Sequence, residues 1–208
     1  MIIVPMAGLS SRFFKAGYDR PKWMLPLAGR ALFDWSLLSF ADQFKSEEFL
    51  IVFQEDYAAR AFIEDRVQAL GIRKVRLVSL DAPTLGQADS VDLGLAHLGV
   101  GDLEPLVIFN IDTMRPGFRM ISHMDAGVGW LECFKGEGNH WSFVKEDPDQ
   151  LGFAEEVAEK RRISDNCCTG MYYFSSASIF DHALRAERAD PSMPELYVAP
   201  LYQRLIAW

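Results

Sequence analysis

Arg12, Lys15, Arg20, Lys22 and Arg30 all fall within PMAGLSSRFFKAGYDRPKWMLPLAGR, residues 5–30, where Asp19 is the single acid. Basic side chains gathered just behind a strand suit the holding and neutralising of polyphosphate. Arg presents a planar fork to phosphate oxygens, and Lys a compact point charge. Gly8, Ser10 and Ser11 make a small-residue turn after the apolar MIIV, so backbone N–H groups there can come close to a phosphate. Arg12 closes that turn, and Lys22 follows ten residues later behind Pro21. No G-K-[ST] follows the turn, so it is not a Walker A loop. From charge alone, a solvated basic loop is an equal reading.

The elements that must carry these residues follow an alternating pattern. MIIV, EFLIVFQ, RKVRLVSL and PLVIFNID read as strands. ALFDWSLLSFADQF, DYAARAFIEDRVQALG and GQADSVDLGLAHLG read as helices, the last with Ala88, Val91, Leu95 and Leu98 on one face and a stop at Gly99. Strands alternating with helices imply parallel βαβ units covered on both faces, with ligands at the carboxyl ends of the strands. The stretches after MIIV and LVIF lie at such ends. Beyond them, VGWLECF, WSFVKE, GFAEEVAE and CCTGMYYFSS read as strands joined by turns, an antiparallel extension. SIFDHALRAE and PELYVAPLYQRLIAW then read as helices. The expectation is one α/β domain over residues 1–208. Its mixed, mainly parallel sheet has helices on both faces, with a nucleotide half at 1–115 and an acceptor half at 116–208.

Composition narrows the partners. The 208 residues are 50% hydrophobic and 24% charged, with a net charge of -8. That field disfavours nucleic acid or an anionic membrane as the main partner. Cys133, Cys167 and Cys168 show no C-x-x-C spacing and suggest no pairing, which argues for a reducing compartment. MIIVPMAG lacks the features of a signal peptide and no run has membrane-spanning length, so a cytoplasmic protein without membrane insertion is expected, with a homo-oligomer left open. His97, His123, His140 and His182 share no spacing and suggest no Ser/His/Asp triad. Trp23, Trp130 and Trp141 read as core, with Trp130 or Trp141 also suited to walling a pocket.

The opening stretch resembles the signature of the sugar-phosphate nucleotidyltransferases, the pyrophosphorylases that make NDP-sugars and relatives acting on small phosphorylated alcohols. Their pattern is a strand, A-G-G-x-G-[ST]-R, P-K, and a G-[KR]-P turn. Ala7, Gly8, Ser11, Arg12, Pro21, Lys22, Gly29 and Arg30 fall in step, while Ser10 replaces a loop glycine and Ala31 the final proline. The resemblance covers nearly the whole chain and implies a Rossmann-like nucleotidyltransferase fold of the nucleotide-diphospho-sugar transferase type. It implies that Ala7, Gly8, Ser10, Ser11, Gly86 and Gln87 bind the nucleotide. A Gly admits a flat base closely, and a Gln amide can pair with a Watson–Crick edge. It further implies Asp112 as the Mg²⁺ ligand, and Glu159, Lys160, Thr169 and Gly170 as the acceptor site, with Lys160 on the acceptor phosphate. Outside the family context, Asp112 reads equally as a loop cap and EKRR as a solvated charge run. ELYVAPLYQRLI resembles the last helix of relatives in capsule and surface-polysaccharide biosynthesis.

The implied reaction is Mg²⁺-dependent transfer of a nucleoside monophosphate from an NTP to a sugar 1-phosphate or similar acceptor, releasing pyrophosphate. Arg12 would hold the leaving phosphates, Lys22 the α-phosphate and Asp112 the metal. A nucleotide-sugar-dependent glycosyltransferase would normally show a D-x-D-like acid pair, where NID has one acid. A catalytically silent nucleotide-binding relative is the other alternative. The family usually has a second acidic metal ligand beyond the last helix. The sequence stops at YQRLIAW, so a shortened chain is expected, or a partner subunit over Leu205, Ile206 and Trp208. Asp165 and Asp190 are weak substitutes for the missing acid.

Overall fold

Ile2–Pro5 (β1) is buried throughout because it is paired on both edges and covered on both faces. The computed structural model describes residues 1–119 and 127–208; His123 lies outside the described residues. β1 runs parallel to Glu48–Gln54 (β4) on one side and to Leu106–Phe109 (β6) on the other, with Ile2 opposite Val107 and Ile3 opposite Ile108. Lys74–Leu80 (β5) extends the parallel part beyond β4. On the far side of β6 the sheet becomes antiparallel through the long Asn166–Phe174 (β10). β10 also carries Gly129–Lys135 (β7) and Ser142–Glu146 (β8), and β8 pairs with Ala154–Glu159 (β9).

Strand alternation divides the core in two. Ile3, Leu50, Val52 and Ile108 face one side, under Gln87–Leu98 (α4), Ala177–Ala189 (α5) and Ala199–Ile206 (α6). Ile2, Val4, Phe49, Ile51 and Phe109 face the other, under Leu32–Leu37 (α2) and Ala59–Leu70 (α3). This is the two-faced α/β sandwich that the strand–helix alternation predicts. Among the described residues, no helix is long and apolar enough to cross a membrane.

The differences from expectation have identifiable causes. The helix expected over ALFDWSLLSFADQF breaks after Leu37 into a 3-10 segment, Leu38–Gln43, in which Phe40 leaves helical geometry at φ -109. Phe40 there packs edge-on against Phe109, Phe49 and Phe118. α3 starts only at Ala59, because Tyr57 and Ala58 take left-handed backbone. The last helix begins at Ala199 rather than in PEL, because the backbone of Leu196 is bonded to Leu85 and Ala88 instead. All three cysteine thiols are free, and strand register makes Cys133 and Cys168 cross-strand neighbours on β7 and β10. Trp208 stacks on His182 with ring centroids 4.0 Å apart.

One glycine sets the distance between helix and sheet above β4. A Cβ on Gly94 would sit 2.5 Å from Val52 Cγ2. Gly94→Val should therefore lower stability by about 1–3 kcal/mol through overpacking. Gly94→Ala should cost less, because a gain in helix propensity of roughly 1 kcal/mol offsets the clash. Urea unfolding of the two variants measures both effects.

Candidate active site

A cavity of about 850 Å³ opens at the carboxyl ends of β1 and β6. The chain that leaves β1 forms one wall. Pro5 and Ala7 are buried at its base, Gly8 and Ser11 line it, and Arg12 enters it from Ser11–Lys15 (α1). Ser10 is the exception among the expected nucleotide contacts and does not line the cavity. Its backbone is left-handed (φ 49), its carbonyl caps the start of α1, and its hydroxyl accepts from the Lys22 N–H at 3.2 Å. Ser10 therefore ties the loop to the Pro21–Lys22 corner, a role for the hydroxyl that a glycine could not fill.

The basic cluster resolves into two working residues. Arg12 and Lys22 line the cavity, while Arg20 is paired with Asp19 at 2.8 Å and Arg30 stacks over Trp35. Lys15 is exposed and outside the lining. Lys22 Nζ lies 2.6 Å from Asp112 Oδ2, so the loops after β1 and β6 meet through opposite charges. The Asp112 side chain is half-exposed, open to a ligand from the cavity side.

The nucleotide-side turn is held rigidly. Gly86 has φ +149, and a Cβ there would meet the backbone N and O of Leu196 at 2.6 Å. Leu85 N–H donates to Asp89 Oδ2 at 2.9 Å, and Asp89 Oδ1 accepts from Arg188 of α5 at 2.6 Å. Thr84 Oγ1 shares a 2.8 Å bond with Ser90 Oγ. Gln87 lines the cavity, but its amide donates to Asn110 Oδ1 rather than pointing free toward a base edge. Asn110 is itself in the lining. Its N–H donates to Gly170 O at 3.0 Å, and a Cβ on Gly170 would come within 2.4 Å of Asn110 Nδ2. That contact explains the glycine in CTGMYYF.

The opposite wall carries the expected acceptor residues. Glu159 and Lys160 follow one another at the end of β9, with Lys160 Nζ 3.9 Å from Glu159 Oε1. Burial raises the Glu159 carboxyl above its ordinary value, against a hydrogen bond from Ser142 and the charge of Lys160. Lys160 is raised chiefly by its bond to the Tyr197 hydroxyl, and so stays an ammonium. Thr169 lines the cavity, but its hydroxyl donates to Glu132 Oε2 at 2.8 Å and its carbonyl accepts from Thr113 at 2.8 Å. Arg115 holds Glu132 in a fork at 2.5–2.9 Å. Trp141 walls the cavity and Trp130 does not; Trp130 stacks on Tyr173. The following Arg161 and Arg162 pair with Glu156 and Asp165, so only the start of EKRR serves the site. Asp165 and Asp190 are engaged with Arg162 and Arg204, outside the lining. Among the described residues, no group of three His, Cys, Asp or Glu side chains gathers to hold a metal.

Sequence reasoning missed Thr84, Ser142, Glu195 and Tyr197, all of which line the cavity. Tyr197 and Glu195 lie in a segment whose apolar spacing reads as helix, so nothing local directs them to the site.

Glu159 gives the site a pH dependence of defined sign. In the acceptor-binding role that the resemblance implies, Glu159 would have to be ionised to accept hydroxyls, and burial makes it take up its proton at a higher pH than an ordinary carboxyl. The acceptor KM should rise as pH falls into the window just above the ordinary carboxylate range, and Glu159→Gln should flatten that rise. Because the folded-state value is raised, ionised Glu159 destabilises the fold at neutral pH, and the penalty disappears as pH falls below the unfolded-state value. Glu159→Gln should thus be at least as stable as the parent at neutral pH, measured by thermal unfolding across pH.

No protein-family model matches the chain, and no curated protein matches it. Among solved structures, the nucleoside-diphosphate-sugar pyrophosphorylase from Vibrio cholerae RC9 is 42% identical. It superposes with a TM-score of 0.92 over 100% of this chain and 88% of that one. The inositol-1-phosphate CTP transferase from T. maritima, at 17% identity, gives a TM-score of 0.75 over 99% of this chain and 80% of that one. A UDP-glucose pyrophosphorylase complexed with UDP-glucose, at 15% identity, gives 0.72 over 99% and 86%. The last two show the shared fold, and the first shows kinship along the whole chain. With the loop, the P-K corner and the strand-end acid assembled around one cavity, the chain belongs to the nucleoside-diphosphate-sugar pyrophosphorylases, a family of nucleotidyltransferase enzymes.

Proposed function

We propose that the chain transfers a nucleoside monophosphate from an NTP to a sugar 1-phosphate or a similar small phosphorylated acceptor, releasing pyrophosphate, with Mg²⁺ as the cofactor. The observation that carries this reading is the arrangement of charge. Arg12, Lys22, Lys160 and Asp112 line one cavity, with Lys22 against Asp112 at 2.6 Å. The cavity is large enough for two phosphorylated ligands together.

A phosphate oxygen of the acceptor attacks the α-phosphorus, the bond to the bridging oxygen of the β-phosphate breaks, and pyrophosphate leaves with that oxygen. The attacking phosphate is already anionic at neutral pH, so the protein needs no general base. Its work is to hold two polyanions in line and offset their charge. Arg12 meets the leaving phosphates with its fork, Lys22 meets the α-phosphate, and Lys160 meets the acceptor phosphate. Gly86 and Ala7 leave room for the base and backbone to approach closely, and the Thr169–Gly170 backbone lies under the acceptor.

The donor set fits Mg²⁺. Asp112 is a half-exposed hard-oxygen ligand, and Mg²⁺ takes few protein carboxylates when substrate phosphates and waters complete its shell. Asp112 would hold the ion. When bound, Mg²⁺ supplies charge neutralisation of the phosphate oxygens.

Two variants test the assignment by pyrophosphate release. Lys22→Ala should lower turnover by ~10²–10³, the typical loss of one transition-state charge donor. Asp112→Asn should abolish Mg²⁺-dependent release while unfolding at the parent temperature, since its side chain is half-exposed at a strand end. Near-normal turnover in either variant contradicts the mechanism.

A further inference from the structure

Lys160 is held in an unusual way. It sits one residue past β9 in left-handed backbone (φ 53), with its N–H donating to Trp141 O at 2.9 Å. Non-glycine residues take that conformation only when the surroundings impose it. Its ammonium lies 4.2 Å from the centre of the Tyr197 ring and donates to the Tyr197 hydroxyl. One aromatic side chain thus supplies both a π-face and an acceptor oxygen to the cation.

The segment carrying Tyr197 is fastened elsewhere. Leu196 N–H donates to Leu85 O at 2.9 Å, and Leu196 O accepts from Ala88 N–H at 2.8 Å. These two bonds lace residues 195–197 to the turn at 85–88, and Gly86 lacks the Cβ that would push them apart. Three consecutive residues therefore touch the nucleotide-side turn through their backbone and the acceptor-side lysine through a ring.

We propose that Tyr197 is a positioning residue for the acceptor, holding the Lys160 ammonium where the acceptor phosphate is received, with the Glu195–Tyr197 segment fixing that point relative to the nucleotide turn. This rests on the functional reading above. Tyr197 need not touch the acceptor, because it acts through Lys160. The flexible lysine stem would otherwise let the charge wander. A misplacement of about 1 Å in a positioning group costs as much as 10²-fold in rate.

The test uses the full chain and pyrophosphate release. Wild type is first screened with the four NTPs against glucose 1-phosphate, mannose 1-phosphate and N-acetylglucosamine 1-phosphate, and the best pair is carried forward. Tyr197→Ala should raise the KM for the sugar 1-phosphate roughly tenfold or more while leaving the KM for the NTP unchanged. Tyr197→Phe, which keeps the ring and loses the hydroxyl, should fall between. The double variant Lys160→Ala/Tyr197→Ala should be no worse than Lys160→Ala alone, because both remove one device. An unchanged acceptor KM in Tyr197→Ala, an equal rise in both KM values, or additive losses in the double variant would overturn the proposal. A turnover-free readout keeps it separable from the reaction. In reductively ¹³C-methylated protein, the Lys160 methyl signal should carry a ring-current shift that disappears in Tyr197→Ala. Loss of that shift with no release from wild type on any pair would refute the functional reading and support the placement of Lys160; an unshifted signal in wild type would refute the placement itself.

Discussion

The parallel pairing of Ile2 and Ile3 with Val107 and Ile108 is the constraint on which the site rests. It brings the carboxyl ends of β1 and β6 side by side, so that residues far apart in sequence share one small volume. Lys22 and Asp112 meet at 2.6 Å only because the strands ahead of them are in register. Both strands are buried and covered on two faces, so register slippage would move every side chain to the wrong core. The buried centre of the sheet therefore sets the distance between two charged residues of the cavity.

The antiparallel half is joined to this frame at one tight point. Asn110 leaves β6, receives the Gln87 amide from the start of α4, and donates to Gly170 on β10. Three walls of the cavity are thus bonded through one side chain and one backbone. Gly170 is required there by space as well as by its positive φ, since any side chain would occupy the volume of the Asn110 amide. One residue earlier on β10, Thr169 lines the cavity while giving its hydroxyl to Glu132 and its carbonyl to Thr113. The polar groups of this wall hold one another.

How much of this could be read from the residues depends on the range of the forces involved. MIIV, EFLIVFQ and LVIF are legible as strands because their burial is continuous, and GQADSVDLGLAHLG as a helix because its apolar face repeats at helical spacing. Asp112 is legible as a cavity residue because it sits just past such a strand, and Arg12 and Lys22 because they follow the small-residue turn after β1. Phe40 is not, since its departure from helix depends on three rings from distant segments. Nor is Tyr197, whose segment carries a helical pattern that two long-range backbone bonds override. Ser10 was read as a phosphate contact from its neighbours, whereas its hydroxyl serves Lys22 across the loop. The adjacency of Cys133 and Cys168 follows from strand register, which spacing along the chain does not encode.

The Lys22–Asp112 pair has a consequence for how the cavity looks from solution. Its two charges cancel at 2.6 Å, so this part of the cavity shows a dipole rather than a net charge. The body around it carries -8, which repels a nucleoside triphosphate at long range. In the proposed reaction the Lys22 ammonium would trade a carboxylate for a phosphate, and the Asp112 carboxylate would trade an ammonium for a divalent cation. Each would leave one ionic bond as it enters another, so that neither charge stands desolvated alone. Until then each of the two side chains is the other's counterion.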